Sequence, residues 1–157
     1  MPLIMKKFLC FLLLLLLVMP ADAAPKNKKW NSYVNARFNY SIEYPNIFTK
    51  RTESENGDGL WLEAKDTRLT LSGGYNVLMQ DGADMVGSRN LEGMIIGESG
   101  SGWFRLVRRE GTMIIHEYGV LNDDVWASFT FTYINTKNFN SVIKKMEKTL
   151  RLTSDSE

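Results

Sequence analysis

Hydrophobic and polar positions alternate with a period of two through most of this chain. In "NARFNYSIEYP", Phe38, Tyr40, Ile42 and Tyr44 share one parity, and Arg37, Asn39, Ser41 and Glu43 share the other. Successive strand side chains point to opposite faces, so the pattern predicts an extended segment from Tyr33 to Tyr44. Pro45 ends it, because proline has no N–H to give to a central ladder. "NIFTKRT" continues as a short strand, and "ESENGDG" reads as a turn whose Asn-Gly and Asp-Gly pairs tolerate positive φ. "LWLEA" and "RLTLSGGYNV" come next as strands. Near the C-terminus "WFRLVRR", "TMIIHEYGVL" and "VWASFTFTYI" are joined by short turns at Glu110-Gly111 and "NDD", which predicts an antiparallel meander. In the last of them Val125, Ala127, Phe129, Phe131 and Tyr133 line one face, with Ser128, Thr130 and Thr132 on the other.

The period changes in two places. Phe139, Val142, Ile143, Met146 and Leu150 recur at steps of three and four, an apolar stripe that predicts an amphipathic closing helix with Lys144, Lys145 and Lys148 off the stripe. Thr136 or Asn138 is the expected N-cap. From Met79 to Gly97 helical spacing at Met85, Leu91 and Met94–Ile95 competes with Gly82, Gly87 and Gly93. Each glycine costs about 1 kcal/mol in a helix interior, so a short or broken helix with loops is expected, and "GESGSG" reads as a flexible link. The whole predicts an α+β domain: an antiparallel β-sheet of about six strands flanked by helices, with the C-terminal amphipathic helix packed on the sheet.

The N-terminus carries a different signal. "MPLIMKK" is a basic leader, "FLCFLLLLLLVM" a dense apolar run, and Ala21 and Ala23 supply small residues after Pro20. This is the layout of a signal peptide, with cleavage expected between Ala23 and Ala24; the run is short for a membrane span of about 20 residues. The expected organisation is a signal peptide over 1–23, a flexible basic tail over 24–32, one domain over 33–152 and a short tail over 153–157. Such a product would be periplasmic or secreted, with no membrane span in the mature chain.

Composition narrows the chemistry. Cys10, the only cysteine of 157 residues, lies in the leader, so a mature chain has no disulfide, thiolate metal site or cysteine nucleophile. Cleavage takes Lys6, Lys7 and Asp22 from 19 basic and 18 acidic residues, leaving 17 of each. That balance gives no electrostatic reason to expect nucleic acid or an anionic membrane as partner. No phosphate-cradling glycine pattern is present, and one histidine without cysteine is a poor start for a transition-metal site. No cofactor and no metal are expected. Aligning "ESENGDG" on the calcium-loop pattern puts Ser54 at the first ligand position and Lys65 at the last, which does not fit.

One stretch of residues has a family likeness. "RFNYSIEYP", "ENGDGLWLEAKD", "LTLSGGYN" and the closing helix resemble a group of small exported bacterial proteins of undefined function, themselves similar to the PsbP-like α/β/α sandwich fold. The resemblance runs from about Tyr33 to Leu152. It implies the fold, and it implies an accessory or binding role within larger machines; the group shares no catalytic motif, so no residue role carries over.

Candidate site residues come from the strands. Trp126 sits on the polar parity with Ser128, Thr130 and Thr132, and Trp61 shares parity with Glu63, so both are candidate surface anchors for binding. The corresponding expectation is a non-enzymatic exported domain that binds a protein or envelope component. The alternative is a small hydrolase in which His116, the only histidine, works with Asp123 or Asp124. Ser99 and Ser101 in "GESGSG" lack the glycine spacing of a nucleophile elbow, and no strand-to-helix turn is expected there. Arg105 and Arg108 fall on opposite parities of their strand, which separates them rather than building one anion patch.

Overall fold

The computed structural model describes residues 29–153. The expected signal peptide, the first residues of the expected tail, and 154–157 lie outside the described residues. Ten strands and two helices are described: β1 (Trp30–Asn35), β2 (Tyr40–Pro45), β3 (Lys50–Glu53), β4 (Gly59–Ala64), β5 (Thr67–Tyr75), α1 (Gly82–Gly87), β6 (Met94–Gly100), β7 (Trp103–Glu110), β8 (Met113–Leu121), β9 (Val125–Ile134), α2 (Asn140–Thr149) and β10 (Arg151–Leu152). They build two antiparallel sheets, one of seven strands in the order β3-β4-β5-β9-β8-β7-β6 and one of three in the order β1-β2-β10.

Paired residues of an antiparallel ladder share a face, so the register sorts the large sheet into two sides. Leu60 and Leu71, Leu62 and Leu69, Phe129 and Tyr118, Phe131 and His116 are such pairs. They define one side, face A. On it Leu60, Leu62, Leu69, Leu71, Ala127, Phe129 and Phe131 are all but inaccessible to water. Their cover comes from α2, through Ile143, Met146 and Leu150, and from the small sheet, through Tyr40, Ile42 and Tyr44. Each such side chain contributes about 1.5–3 kcal/mol when fully buried, which is why the apolar parity of each strand faces inward. The opposite side, face B, carries Trp61, Thr70, Ser72, Ser128, Thr130 and Thr132. Among the described residues, cover on that face is confined to its β6–β7 corner: α1 packs there, and Met85 joins Phe104, Leu106 and Leu121 in a second, smaller core.

The structure differs from the sequence-based expectation in several places, and in place of one sheet of about six strands it has two, of seven and three. The stretch expected as one extended segment is a hairpin. Asn35 Oδ1 accepts the Phe38 N–H at 3.0 Å, and Asn39 adopts φ 48°, which reverses the chain between β1 and β2. β1 begins at Trp30, which pairs with Pro45, so the expected tail already belongs to the small sheet there. "GESGSG" is not a flexible link: its first four residues end β6, paired with β7 from Met94–Arg108 to Gly100–Trp103, and its last two make the turn. The short helix expected in this region is the six residues of α1. Asp81 caps it by accepting from Ala83 N and Asp84 N while Asp84 accepts from Asp81 N, a reciprocal pair that satisfies the free donors of the first turn. Gly82 is required because a Cβ there would lie 2.2 Å from the Trp103 carbonyl. Finally, α2 starts at Phe139 without a side-chain cap, and Asn138 Oδ1 instead accepts from Asn140 N.

The two sheets meet where Tyr40, fully buried, lies against the bare backbone of Gly73 and reaches the Asp58 carbonyl with its hydroxyl at 3.2 Å. A Cβ on Gly73 would sit 2.6 Å from the Tyr40 ring. Gly73→Ala is therefore expected to lower the unfolding free energy by about 1–3 kcal/mol through overpacking, measured by urea unfolding against the same substitution at open Gly87, which meets nothing within 4 Å.

Candidate functional site

The uncovered part of face B is the candidate site. Trp61 stands on β4 opposite Thr70 of β5, which pairs in turn with Thr130 of β9 and then Glu117 of β8. Trp61 is 45% exposed, an unusual position for the largest apolar side chain. Around it lies an open depression of about 630 Å³ formed with Thr52, Glu53, Ser54 and Asp58. A second, of about 430 Å³, lies at the far end of the same face beside Glu63, Arg68, Met113 and Thr132. A third, much smaller, is bounded by Arg89, Leu106, Arg108, Ile115 and Glu117. Arg89 spans that last one with a 2.9 Å ion pair to Glu117.

The turn beside Trp61 is internally satisfied. The Ser54 hydroxyl donates to Asp58 Oδ1 at 2.5 Å, and Asn56 Nδ2 donates to Asp58 Oδ2 at 2.8 Å. The Ser54 contact holds the Asp58 carboxyl below its ordinary range. These oxygens are bound to one another, and among the described residues no group of three His, Cys, Asp or Glu side chains is placed to hold a metal ion.

Trp126, the other expected anchor, is not a free surface residue. It lies over Gly74, where a Cβ would come within 2.8 Å of its indole nitrogen, and it packs against the second core. The second core, to which α1 contributes Met85, reaches β9 at that end, so a residue that alternates with Ser128 and Thr130 still finds apolar neighbours. The strand pattern of β9 does not contain those residues.

His116 is on face A, stacked on Phe129 at 6.1 Å, with its Nε2 2.9 Å from Glu147 Oε1. Glu147 comes from α2 and is clamped by Arg105, whose Nε and Nη2 each donate to one carboxylate oxygen at 2.8 Å. Arg105 Nη1 donates to Glu98 at 2.7 Å, and its guanidinium sits 5.7 Å from the ring centres of both Trp103 and Tyr118. Burial raises the Glu147 pKa, but the hydrogen bonds from His116 and Arg105 and their charges outweigh it and bring the carboxyl down to about 2. Asp123 and Asp124, the expected partners, are exposed in the β8–β9 turn. His116 pairs with Phe131, seven residues along β9 from Asp124, roughly 23 Å at strand rise. The structure thus places His116 in an ion network that fastens α2 to the sheet and does not bring it to either aspartate. The parity split of Arg105 and Arg108 holds: Arg105 serves Glu147 on face A, and Arg108 lies at 3.4 Å from Glu110. Glu147 is the residue that pattern reading missed. Its signal is an acid four positions after Ile143 and next to Met146, on the buried side of the stripe.

With these surroundings, Trp126→Ala is expected to cost about 2–4 kcal/mol of stability, as for a core aromatic, and Trp61→Ala less than about 1 kcal/mol, both read by urea unfolding. Glu147 is held below its ordinary value of 4.5. Its contribution is present above that pH and lost as pH falls through about 2. Between those limits the wild-type chain should lose about 3 kcal/mol that Glu147→Gln does not, in unfolding series run across the acid range.

No family model matches the chain, and no curated protein matches it. Solved structures do. The solution structure of cyanobacterial PsbP (CyanoP) from Synechocystis is similar with a TM-score of 0.64 at 10% identity, over 83% of this chain and 96% of that one. A crystal structure of a protein from Bacteroides thetaiotaomicron is similar with a TM-score of 0.57 at 13% identity, over 82% of this chain and only 50% of that one. At such identities the likeness is one of fold, and the fold is PsbP-like.

Proposed function

We propose that this protein is an exported, non-enzymatic accessory domain of the cell envelope that binds a protein or envelope component through face B. The observation that carries the reading is the open band from Trp61 through Thr70 and Thr130 to Glu117, with the three depressions of face B along it. A rigid sheet presents those side chains without reorganisation, and an exposed tryptophan beside hydroxyls suits an interface that needs one apolar anchor and several adaptable polar contacts. The leader-like N-terminus supports export, and the PsbP-like fold supports a binding role by analogy. The engagement of His116 with Glu147 and Arg105 favours a structural task for the only histidine. Among the described residues no helix is long and apolar enough to cross a membrane.

The test is crosslinking capture from envelope extract with the chain from Ala24 onward, comparing wild type with Trp61→Ala. The expected result is one saturable partner whose recovery falls at least about tenfold with the variant, the effect of losing an interface anchor. Equal recovery by both proteins would remove Trp61 from the interface. Hydrolysis of an ester, peptide or glycan panel that is abolished by His116→Ala in a folded protein would overturn the non-enzymatic reading.

A further inference from the structure

The loop between β5 and α1 holds three consecutive apolar side chains in water. Val77, Leu78 and Met79 are 82%, 75% and 79% exposed. Single exposed apolar residues are common, but an uninterrupted run at a loop tip is not explained by packing. The loop is also firmly held. Asn76, only 5% exposed, donates through Nδ2 to the carbonyls of Gln80 and Asn122 and accepts from Gln80 N. Its own N–H donates to the Asp124 carbonyl at 2.7 Å, and Met79 N–H donates back to the Asn76 carbonyl. Met79 takes φ 49°, a left-handed conformation that a side-chain-bearing residue adopts at a cost. A buried asparagine thus spends its hydrogen bonds on keeping three apolar side chains out of the core.

The segments joined to this tip are acidic. Asp81 and Asp84 come after it at the start of α1, and the hydrogen bonds of Asn76 to the Asn122 and Asp124 carbonyls bring the β8–β9 turn, with Asp123 and Asp124, against the base of the loop. Among the described residues none of these four carboxylates is in an ion pair. From Leu69 to Phe104 the only basic residue is Arg89, which is tied to Glu117. An apolar knob flanked by acidic segments is the complement of an apolar socket flanked by lysine and arginine. The same acids disfavour an anionic bilayer.

We infer that the Val77–Leu78–Met79 tip is a docking knob that inserts into an apolar pocket with a basic rim on a partner protein. The inference rests on the reading of this chain as a binding domain, but it uses a different surface from face B around Trp61. The preformed loop lowers the ordering cost of docking, the three side chains supply the anchor, and the acidic segments steer the approach.

The test places a benzophenone amino acid at position 78 of the full chain in the producing cell. The expected result is an adduct with one protein that excess wild-type chain competes away and Leu78→Asp chain does not. Purified, that protein should bind wild type at least about tenfold more tightly than Leu78→Asp, whose thermal unfolding should match wild type because the tip packs on nothing. Replacing Asp123 and Asp124 by Asn should slow association several-fold at low salt, with the difference vanishing at high salt. Three results would overturn the inference. One is the absence of a competed adduct, or an adduct partner that binds Leu78→Asp equally well. Another is sedimentation of the wild-type chain with phosphatidylcholine vesicles through Leu78, which would make the occupant a bilayer. The last is self-association abolished by Leu78→Asp, which would make it a second copy. Loss of the tip effect with retention of the Trp61→Ala effect would reject the knob and leave the proposed function standing.

Discussion

A seven-stranded sheet turns two faces to its surroundings, and the other elements among the described residues cover little more than one. That constraint organises the molecule. The ten-residue α2 and the three-stranded sheet both lie on face A, where Leu69, Leu71, Phe129 and Phe131 need them. Among the described residues face B receives only the six residues of α1, which pack mainly on β6 and β7. Where cover ends, the side chains change to hydroxyls: Thr70 and Ser72 on β5, Thr130 and Thr132 on β9. Threonine suits such a position, since its β-branch favours the strand while its hydroxyl stays hydrated. The composition of each strand therefore reports which part of the sheet has a neighbour.

Covering face A raises a problem of register, because an apolar stripe alone lets a helix slide or rotate on an apolar sheet. The Arg105–Glu147–His116 network addresses it. A largely buried charge costs several kcal/mol unless its partners meet it closely, and only one placement of α2 gives Glu147 both the guanidinium fork and the imidazole. The penalty for leaving Glu147 without these partners disfavours other placements of α2. The network also sets the path of the chain beyond α2, because β10 continues directly from that helix to pair Arg151 and Leu152 with β2. The small sheet is thus closed by a strand whose position depends on how Glu147 is docked.

The legible part of this fold is the part with local causes. The alternation in β9, the stripe of α2 and the turns at Glu110-Gly111 and Asn122–Asp124 depend on neighbours in sequence, and the structure reproduces them. The hairpin between β1 and β2 was hidden because Phe38 keeps the parity of Tyr40 while sitting in a turn, a coincidence that period-two reading cannot resolve. β6 was hidden because its glycines suit close packing as well as flexibility: Gly97 and Gly100 lie against Met94 and Trp103. Candidate sites fared unevenly for the same reason. Trp61 lies where its parity places it, and no distant element among the described residues covers β4 on that side. Trp126 lies on the face its parity predicts, but it is half-buried there against the second core, whose residues are remote from it in sequence. His116 acquires its partner from α2, which no motif near His116 announces.

Hydroxyls by themselves explain only hydration of face B; a sheet with one wet face is ordinary in antiparallel proteins. Trp61 and the tip at Val77–Met79 are different, because both leave large apolar side chains in water. Gly74 and α1 give Trp126 a bed at one end of the face, whereas at the Trp61 end the chain supplies only a polar turn whose groups are bound to one another. Asn76 likewise directs its hydrogen bonds so that the residues after it stay outside. Apolar surface left in the open at two positions, each on a rigid frame, is what a partner stabilises when it removes that surface from water. On the binding role proposed above, the cover that face B lacks among the described residues is what a partner would supply.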